Sequence, residues 1–249
     1  LFPYTTLFRS REFFGNTNVR KAFSLAANRD EINELIYNGL GTPRQYSPLS
    51  MSPNAYPDQA NAYIEYNPDQ ANSLLDEAGY TEKDADGYRT YKDGSSETIS
   101  LIIEGTAEAG SMDEDAIQLL VKYFEEVGIK TQYKYAERSL YTEHYESNEV
   151  DCTCWGGDRT VMPVVTPAIF EGSMPDRPWA GAWGLWRNDT TDPNGEEPAS
   201  DHWIWTIWNA IDAIAIEPDE DTRNELFKTG VLDVWKKELP MIGYIGELP

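Results

Sequence analysis

The sequence predicts an α/β fold, a mixed sheet flanked by helices. Two observations point there: an ordered strand, amphipathic helix, strand unit in the middle of the chain, and helices whose start and stop residues are written beside them. A third sets the scale, since 249 residues at 40% hydrophobic and 25% charged are enough for a sizeable buried core. No apolar run reaches membrane-spanning length.

The first ten residues, "LFPYTTLFRS", have neither helical spacing, strand alternation, nor the pattern of a secretory signal. Read as codons CTC TTT CCC TAC ACG ACG CTC TTC CGA TCT, they resemble a translated short-read sequencing adapter. Leu1 to Ser10 are therefore expected to be foreign to the fold, as a remnant would be. On that reading the chain is a gene fragment whose signal segment is missing.

Next, "NTNVRKAFSLAANRDEINELIYNGLGTP" predicts two short helices. Val19, Ala22, Phe23 and Ala26 form one apolar face, Ile32, Leu35 and Ile36 another, with stop signals at Gly39 and Pro43. A turn-rich stretch with four prolines between Pro43 and Pro57 follows. A loop of that length points to function or to a crossing between lobes. "YNPDQANSLLDEAGY" carries a full helix grammar: Asn67 as cap, Pro68 at the first helical position, Gln70 completing a capping box and Gly79 at the left-handed stop.

The α/β unit comes after it. "TISLII" reads as a strand, and "SMDEDAIQLLVKYFEEVGI" places Ile117, Leu120, Val121, Phe124 and Val127 on one helical face, with Ser111 and Glu114 spaced as a capping box. "KTQYKY" is the following strand, so the pair is expected to run parallel. A helix from about Ser139 to Asn148 leads to the strand "VDCTCWG". The segment "MPDRPWAGAWGLWRNDTTDPNGEEP" reads as irregular. Two helices, around His202 to Ile216 and Asp219 to Lys237, precede a strand-like "MIGYIG".

Charge and cysteines narrow the chemistry. Twenty basic against 43 acidic residues give a net charge of −23, a field that repels phosphate backbones and argues against nucleic acid as partner. Cys152 and Cys154, two apart on a strand, share one face and are too strained a pair for a disulfide, so they read as small buried apolar groups. The enzyme motifs are missing: His144 and His202 lie in no metal-protease spacing, and neither a nucleophile elbow nor a phosphate loop occurs.

Two features remain as candidate sites. "EKDADGYRTYKD" puts Glu82, Asp84, Asp86 and Asp93 at the first, third, fifth and twelfth positions of a loop with glycine at the sixth, similar to a calcium-binding EF loop. The first residue is Glu where Asp is usual and the twelfth is Asp where Glu is usual, so an acidic hairpin is the competing reading. The second feature is aromatic: Trp155, Trp179, Trp183, Trp186, Trp203, Trp205 and Trp208, seven of eight tryptophans, fall within about a fifth of the chain. Indole faces stack on sugars, cations and peptide side chains. Several are expected to fill the core, Trp205 and Trp208 among them.

Taken in order, "NVRKAFSLAANRDEI", "YNPDQANSLLDEAGY", "GIKTQYKY" and "VDCTCWGGD" resemble the second half of solute-binding protein family 5. Its members are the extracytoplasmic receptors of ABC importers for oligopeptides, dipeptides, nickel and some oligosaccharides. The resemblance implies a periplasmic-binding-protein-like lobe of type II over residues 11–249, incomplete at both ends, with the other lobe largely missing. It implies a monomer without cofactor that delivers ligand to a membrane permease, periplasmic or lipid-anchored at the cell surface.

In peptide-binding members a strand ending in Trp, two small residues and Asp supplies the partner of the peptide's amino group. "CWGGD" carries that role to Asp158, which otherwise caps the next segment. Trp155, Trp183 and Trp186 are then expected to line the pocket, and Arg159 to meet a ligand carboxylate. The chain departs from many peptide binders in "DRTVMP", where an acidic residue and proline usually follow the Asp. "PWAGAWGLW" with "NGEEP" resembles the branch that includes oligosaccharide binders. An oligosaccharide ligand and, from another class, a secreted glycoside hydrolase fragment using an acidic pair therefore stand as alternatives.

Overall fold

The computed structural model describes residues 4–147, 149–157, 160–174 and 179–248. It opens with three helices, α1 (Tyr4–Gly15), α2 (Thr17–Ala26) and α3 (Arg29–Tyr37). Asn16 and Asn28 cap the second and third, accepting from the backbone N–H groups of Asn18 and Glu31. Val19, Ala22, Phe23, Ala26 and Ile32 are buried as their spacing predicts, but Leu35 is 63% exposed. The inward stripe of α3 is centred on Ile32 and Ile36, and Leu35 lies about 100° round the helix from Ile36. Ser10, the last residue of the adapter-like stretch, lies within α1 and donates to Asp151 Oδ1 at 2.6 Å, while Arg9 pairs with Asp93 and Glu97.

A two-residue strand β1 (Thr42–Pro43) leads into the turn-rich stretch, which holds one short helix, α4 (Pro57–Ala60). Helix α5 (Pro68–Glu77) begins at Asn67, whose side chain accepts from Gln70 N–H, and stops at left-handed Gly79 (φ 95°). Then come β2 (Ser100–Gly105), α6 (Met112–Glu126) and β3 (Lys130–Tyr135), with β2 and β3 parallel from Ser100↔Lys130 to Gly105↔Tyr135. Ser111 caps α6 by accepting from Glu114 N–H. Leu101 and Ile103 on the sheet, Ile117, Leu120 and Phe124 from α6, Val127 at its C-cap, and the inner faces of α2 and α3 make the first core.

Helix α7 (Arg138–Glu146) precedes β4, which is shorter than expected at Cys152–Thr153 and pairs parallel with β2 through Ile103↔Cys152 and Glu104↔Thr153. The sheet order is β3-β2-β4. Cys154 and Trp155 follow the strand, and then come Gly156 and Gly157, which have no side chains to pack on the sheet.

The remaining helices build a second core: α8 (Ala168–Glu171), α9 (Ala182–Asn188), α10 (Ile204–Ile216), α11 (Glu220–Phe227), a π-helical turn (Lys228–Leu232) and α12 (Asp233–Glu238). The presence of α9 corrects the expectation of an irregular aromatic segment. Gly184 makes it possible: a Cβ there would lie 2.2 Å from the Gly172 carbonyl oxygen, so the helix can press onto the end of α8. Phe170, Trp208, Phe227 and Trp235 fill the centre. Strand β5 (Ile245–Gly246) returns antiparallel to β1.

The turn-rich stretch links the two cores, with Tyr46 packed on Phe170 and Trp235 at ring distances of 5.3 and 5.7 Å. Buried Arg29 fastens the crossing. Its guanidinium donates to the carbonyls of Ser24, Ile64 and Gly243 and to the Ser24 hydroxyl.

Candidate functional site

Because β2, β3 and β4 run parallel, their carboxyl ends share one edge, the place where open α/β sheets take ligands. Glu104, one residue from the end of β2, is 3% exposed. The register sets Lys134 of β3 beside it, and Lys134 Nζ donates to Glu104 Oε2 at 2.8 Å. From α7, His144 Nδ1 meets Glu104 Oε1 at 2.7 Å. Burial alone would raise the Glu104 pKa; hydrogen bonds and charge from Lys134 and His144 outweigh it and hold the carboxyl below its ordinary value.

This network ties α7 to the sheet and so fixes what α7 presents. Tyr141 stacks on Trp155 with ring centroids 5.5 Å apart and planes 19° from parallel, and the Arg138 guanidinium lies 4.8 Å from the Trp155 ring. Trp155 itself is 37% exposed, and Tyr135 at the end of β3 and Leu140 on α7 are exposed as well. Beyond β4 the edge thus presents the Trp155 ring, stacked on α7, which is tied to the sheet through the buried Glu104 carboxylate. Asp158 and Arg159, the expected polar anchors, lie outside the described residues.

The tryptophans sort by their indole N–H. Those of Trp179, Trp205, Trp208 and Trp235 donate to the carbonyls of Ile169, Ala199, Glu171 and Phe170, which marks them as parts of the fold. Trp183 and Trp186, on α9, donate to no carbonyl among the described residues. They pack against the second core rather than with Trp155, Trp183 on His202 at 4.4 Å and Trp186 on Trp205 and Trp208 at 5.7 and 6.0 Å. His202 Nδ1 accepts from Ile204 N–H at the start of α10, and burial, then the charge of Arg20, lowers its pKa.

The acidic loop is a hairpin and not a cation cradle, which corrects the calcium expectation. Asp84 Oδ1 accepts from the N–H groups of Asp86 and Tyr88, and its Oδ2 accepts from the Thr98 hydroxyl. Those bonds, Thr98 first, hold the Asp84 pKa down. Asp93 accepts from Ser95 N–H and pairs with Arg9, while Glu82 offers its main-chain carbonyl to Thr90. The carboxylates of Glu82, Asp84, Asp86 and Asp93 do not converge, and no group of three or more His, Cys, Asp or Glu among the described residues could hold a metal.

Cys152 and Cys154 are free, half-buried against the first core, with burial pushing their thiols up to about 12 and about 11. Both are therefore poor nucleophiles at neutral pH. A cavity of about 200 Å³ lies elsewhere, between residues 53–56 and α11 with its π turn, and no tryptophan lines it.

Glu104, Lys134, His144, Tyr141 and Arg138 were not singled out from the sequence as site residues. The available signal was a lone glutamate closing the apolar run "SLIIEG" opposite a lysine in "KTQYKY".

Comparison with known proteins follows the same lines. Residues 2–168 match the family described as bacterial extracellular solute-binding proteins, family 5 middle. A curated relative from Deinococcus radiodurans, named "Probable ABC transporter-binding protein", is 29% identical over 168 residues, 64% of this chain and 28% of that protein. Among solved structures, the oligopeptide-binding protein OppA superposes on 96% of this chain and 38% of its own, with a TM-score of 0.85 and 32% identity. The periplasmic binding protein MelB of Agrobacterium fabrum, in complex with stachyose, covers 98% of this chain and 35% of its own at TM-score 0.78 and 16% identity. At that identity the likeness to MelB speaks to the fold alone. The chain spans well under half the length of these relatives.

Proposed function

The chain belongs to the bacterial extracellular solute-binding proteins of family 5, and from that premise we propose that it is a ligand-binding lobe of an ABC importer's receptor. The receptor captures oligopeptides or related small solutes between two lobes and hands them, unaltered, to a membrane permease. It works outside the cytoplasm, as a monomer and without a cofactor. No helix among the described residues is long and apolar enough to cross a membrane.

The observation that carries this reading is the likeness to the oligopeptide-binding protein OppA over 96% of the chain at 32% identity. The sheet edge adds a physical reason. Trp155 is a rigid, partly exposed wall, and the next residues, Gly156 and Gly157, let a ligand approach the backbone before Asp158. In this proposal Asp158 pairs with the ligand's amino group, Arg159 with its carboxylate, and Trp155 supplies the aromatic wall at the sheet edge, while Trp183 and Trp186 offer a wall on the second core. A cationic amine leaving water needs such a partner.

An oligosaccharide ligand is the second reading, favoured by the stretches "PWAGAWGLW" and "NGEEP", which resemble the family's oligosaccharide-binding branch. The two separate by titrating tryptophan fluorescence of the full-length protein with a tripeptide pool and, independently, an oligosaccharide pool. A peptide response that Asp158→Asn removes supports the proposal. A response to sugar alone, indifferent to Asp158→Asn, replaces peptide with oligosaccharide and leaves Asp158 a structural cap. Turnover of either ligand overturns the binding-protein reading.

A further inference from the structure

Trp183 has a neighbour that the sheet-edge site does not explain. After α9 the chain turns through residues 189–196, held by Asp189, which accepts from Thr191 N–H, and by Asp192, which accepts from the N–H groups of Asn194 and Gly195. It folds back until Glu196 N–H donates to the Ala182 carbonyl at 3.0 Å. Gly195 permits the return, since a Cβ there would lie 2.9 Å from Trp186 N. The result is a loop carboxylate, Glu196, tied through its backbone to the first residue of α9, the helix that carries Trp183.

That carboxylate and that ring hold a guanidinium. Arg11 Nη1 donates to Glu196 Oε2 at 2.8 Å and its Nη2 to Oε1 at 2.6 Å, a two-pronged pairing, while the same guanidinium lies 5.7 Å from the centroid of Trp183. A planar fork matched to both carboxylate oxygens and laid on an indole is how arginine is distinguished from lysine. Arg11 differs from the arginines that hold the fold. Arg29 and Arg89 are buried, Arg20 is mostly so, and all three donate to several backbone carbonyls, whereas the Arg11 side chain is 55% exposed and Glu196 is 48% exposed. An ion pair so exposed is held weakly and exchanges readily.

We infer that Trp183 and Glu196 form a side-chain subsite for a guanidinium group, filled in this structure from within the chain by Arg11, and that its ligands are arginine-containing peptides. The subsite itself rests on these contacts alone; the assignment of peptides as ligands rests on the proposed function. Arg11 competes with the ligand, so removing it opens the subsite. Because each prong pairs with its own oxygen, a neutral isostere of arginine cannot replace it.

The test uses the 249-residue chain and its Arg11→Ala variant, with tryptophan fluorescence as the readout. The probes are Nα-acetyl-arginine amide, its citrulline counterpart, and the tripeptides Ala-Arg-Ala and Ala-citrulline-Ala. The expected result is that Arg11→Ala binds the acetylated arginine about tenfold or more tightly than the unsubstituted chain does, and prefers it to citrulline by a similar factor. Adding Glu196→Gln removes the preference. Equal response to arginine and citrulline, or a preference that survives Glu196→Gln, overturns the subsite. If acetylated arginine binds but neither tripeptide gains from its backbone, the subsite stands and the peptide reading fails. Arg11→Gln is a second opened variant, and circular dichroism confirms that each variant is folded.

Discussion

At the residue scale, Glu104 is the hinge of the site's rigidity. Its carboxylate is buried, accepts from Lys134 and meets His144 across from α7. Glu104→Gln is expected to cost about 1.5–3 kcal/mol, the usual worth of hydrogen bonds to a charged group, measured by urea unfolding at neutral pH. Its pKa is lowered in the folded state, so its contribution is fully present above the ordinary glutamate value of about 4.3 and is lost as pH falls through the folded value. The acid limb of the stability profile should therefore flatten in Glu104→Gln.

His202 adds a second, milder dependence. It must stay neutral for Nδ1 to accept from Ile204 N–H, and its folded pKa is lowered. As pH falls below about 6.5 the unfolded chain takes up a proton that the folded chain resists, so stability declines. Unfolding free energies at about pH 7.5 and 5.5 should differ in the parent and differ less in His202→Asn; an unchanged difference would show that His202 is not the source. Sequence could name His202 and His144 but not tell them apart, because the distinction lies in what packs around each ring.

At the scale of elements, legibility followed locality. Caps, stops and the parallel unit depend on neighbours in sequence, and Asn67, Ser111 and the β2–β3 pairing stand where the residues place them. Asn67→Ala should lower stability by about 1 kcal/mol in thermal or urea unfolding. Helix α9 was illegible because its stability is tertiary: Gly184 lets it close on Gly172, and its aromatic face is completed by α10. The same holds for the π turn between α11 and α12, where a Cβ on Gly230 would come 2.3 Å from that of Ala210. Gly230→Ala is expected to destabilise by about 1–3 kcal/mol through overpacking, and a neutral result would show that the helices can separate there.

For the whole molecule, two cores are joined by the turn-rich stretch, the β1–β5 pair and the carbonyls gathered by Arg29. This arrangement leaves the carboxyl edge of the parallel sheet to one core and the Trp183–Glu196 corner to the other. The sequence resemblance led to the family and to Trp155, but the tryptophan count by itself overstated the site. Of the seven clustered indoles, those of Trp205 and Trp208 are locked onto backbone carbonyls, in keeping with their expected place in the fold, and that of Trp179 is locked in the same way, which its irregular sequence context gave no sign of.

The most direct test of the central claim is calorimetric titration of the full-length protein with trialanine and with N-acetyl-trialanine, followed by mass analysis of the recovered ligand. Trialanine should bind and be recovered intact, and acetylation, by removing the cationic amine, should weaken binding by about tenfold or more. Equal affinity for the two, or a cleaved peptide in the recovered fraction, would contradict a receptor that holds its ligand by the amino group.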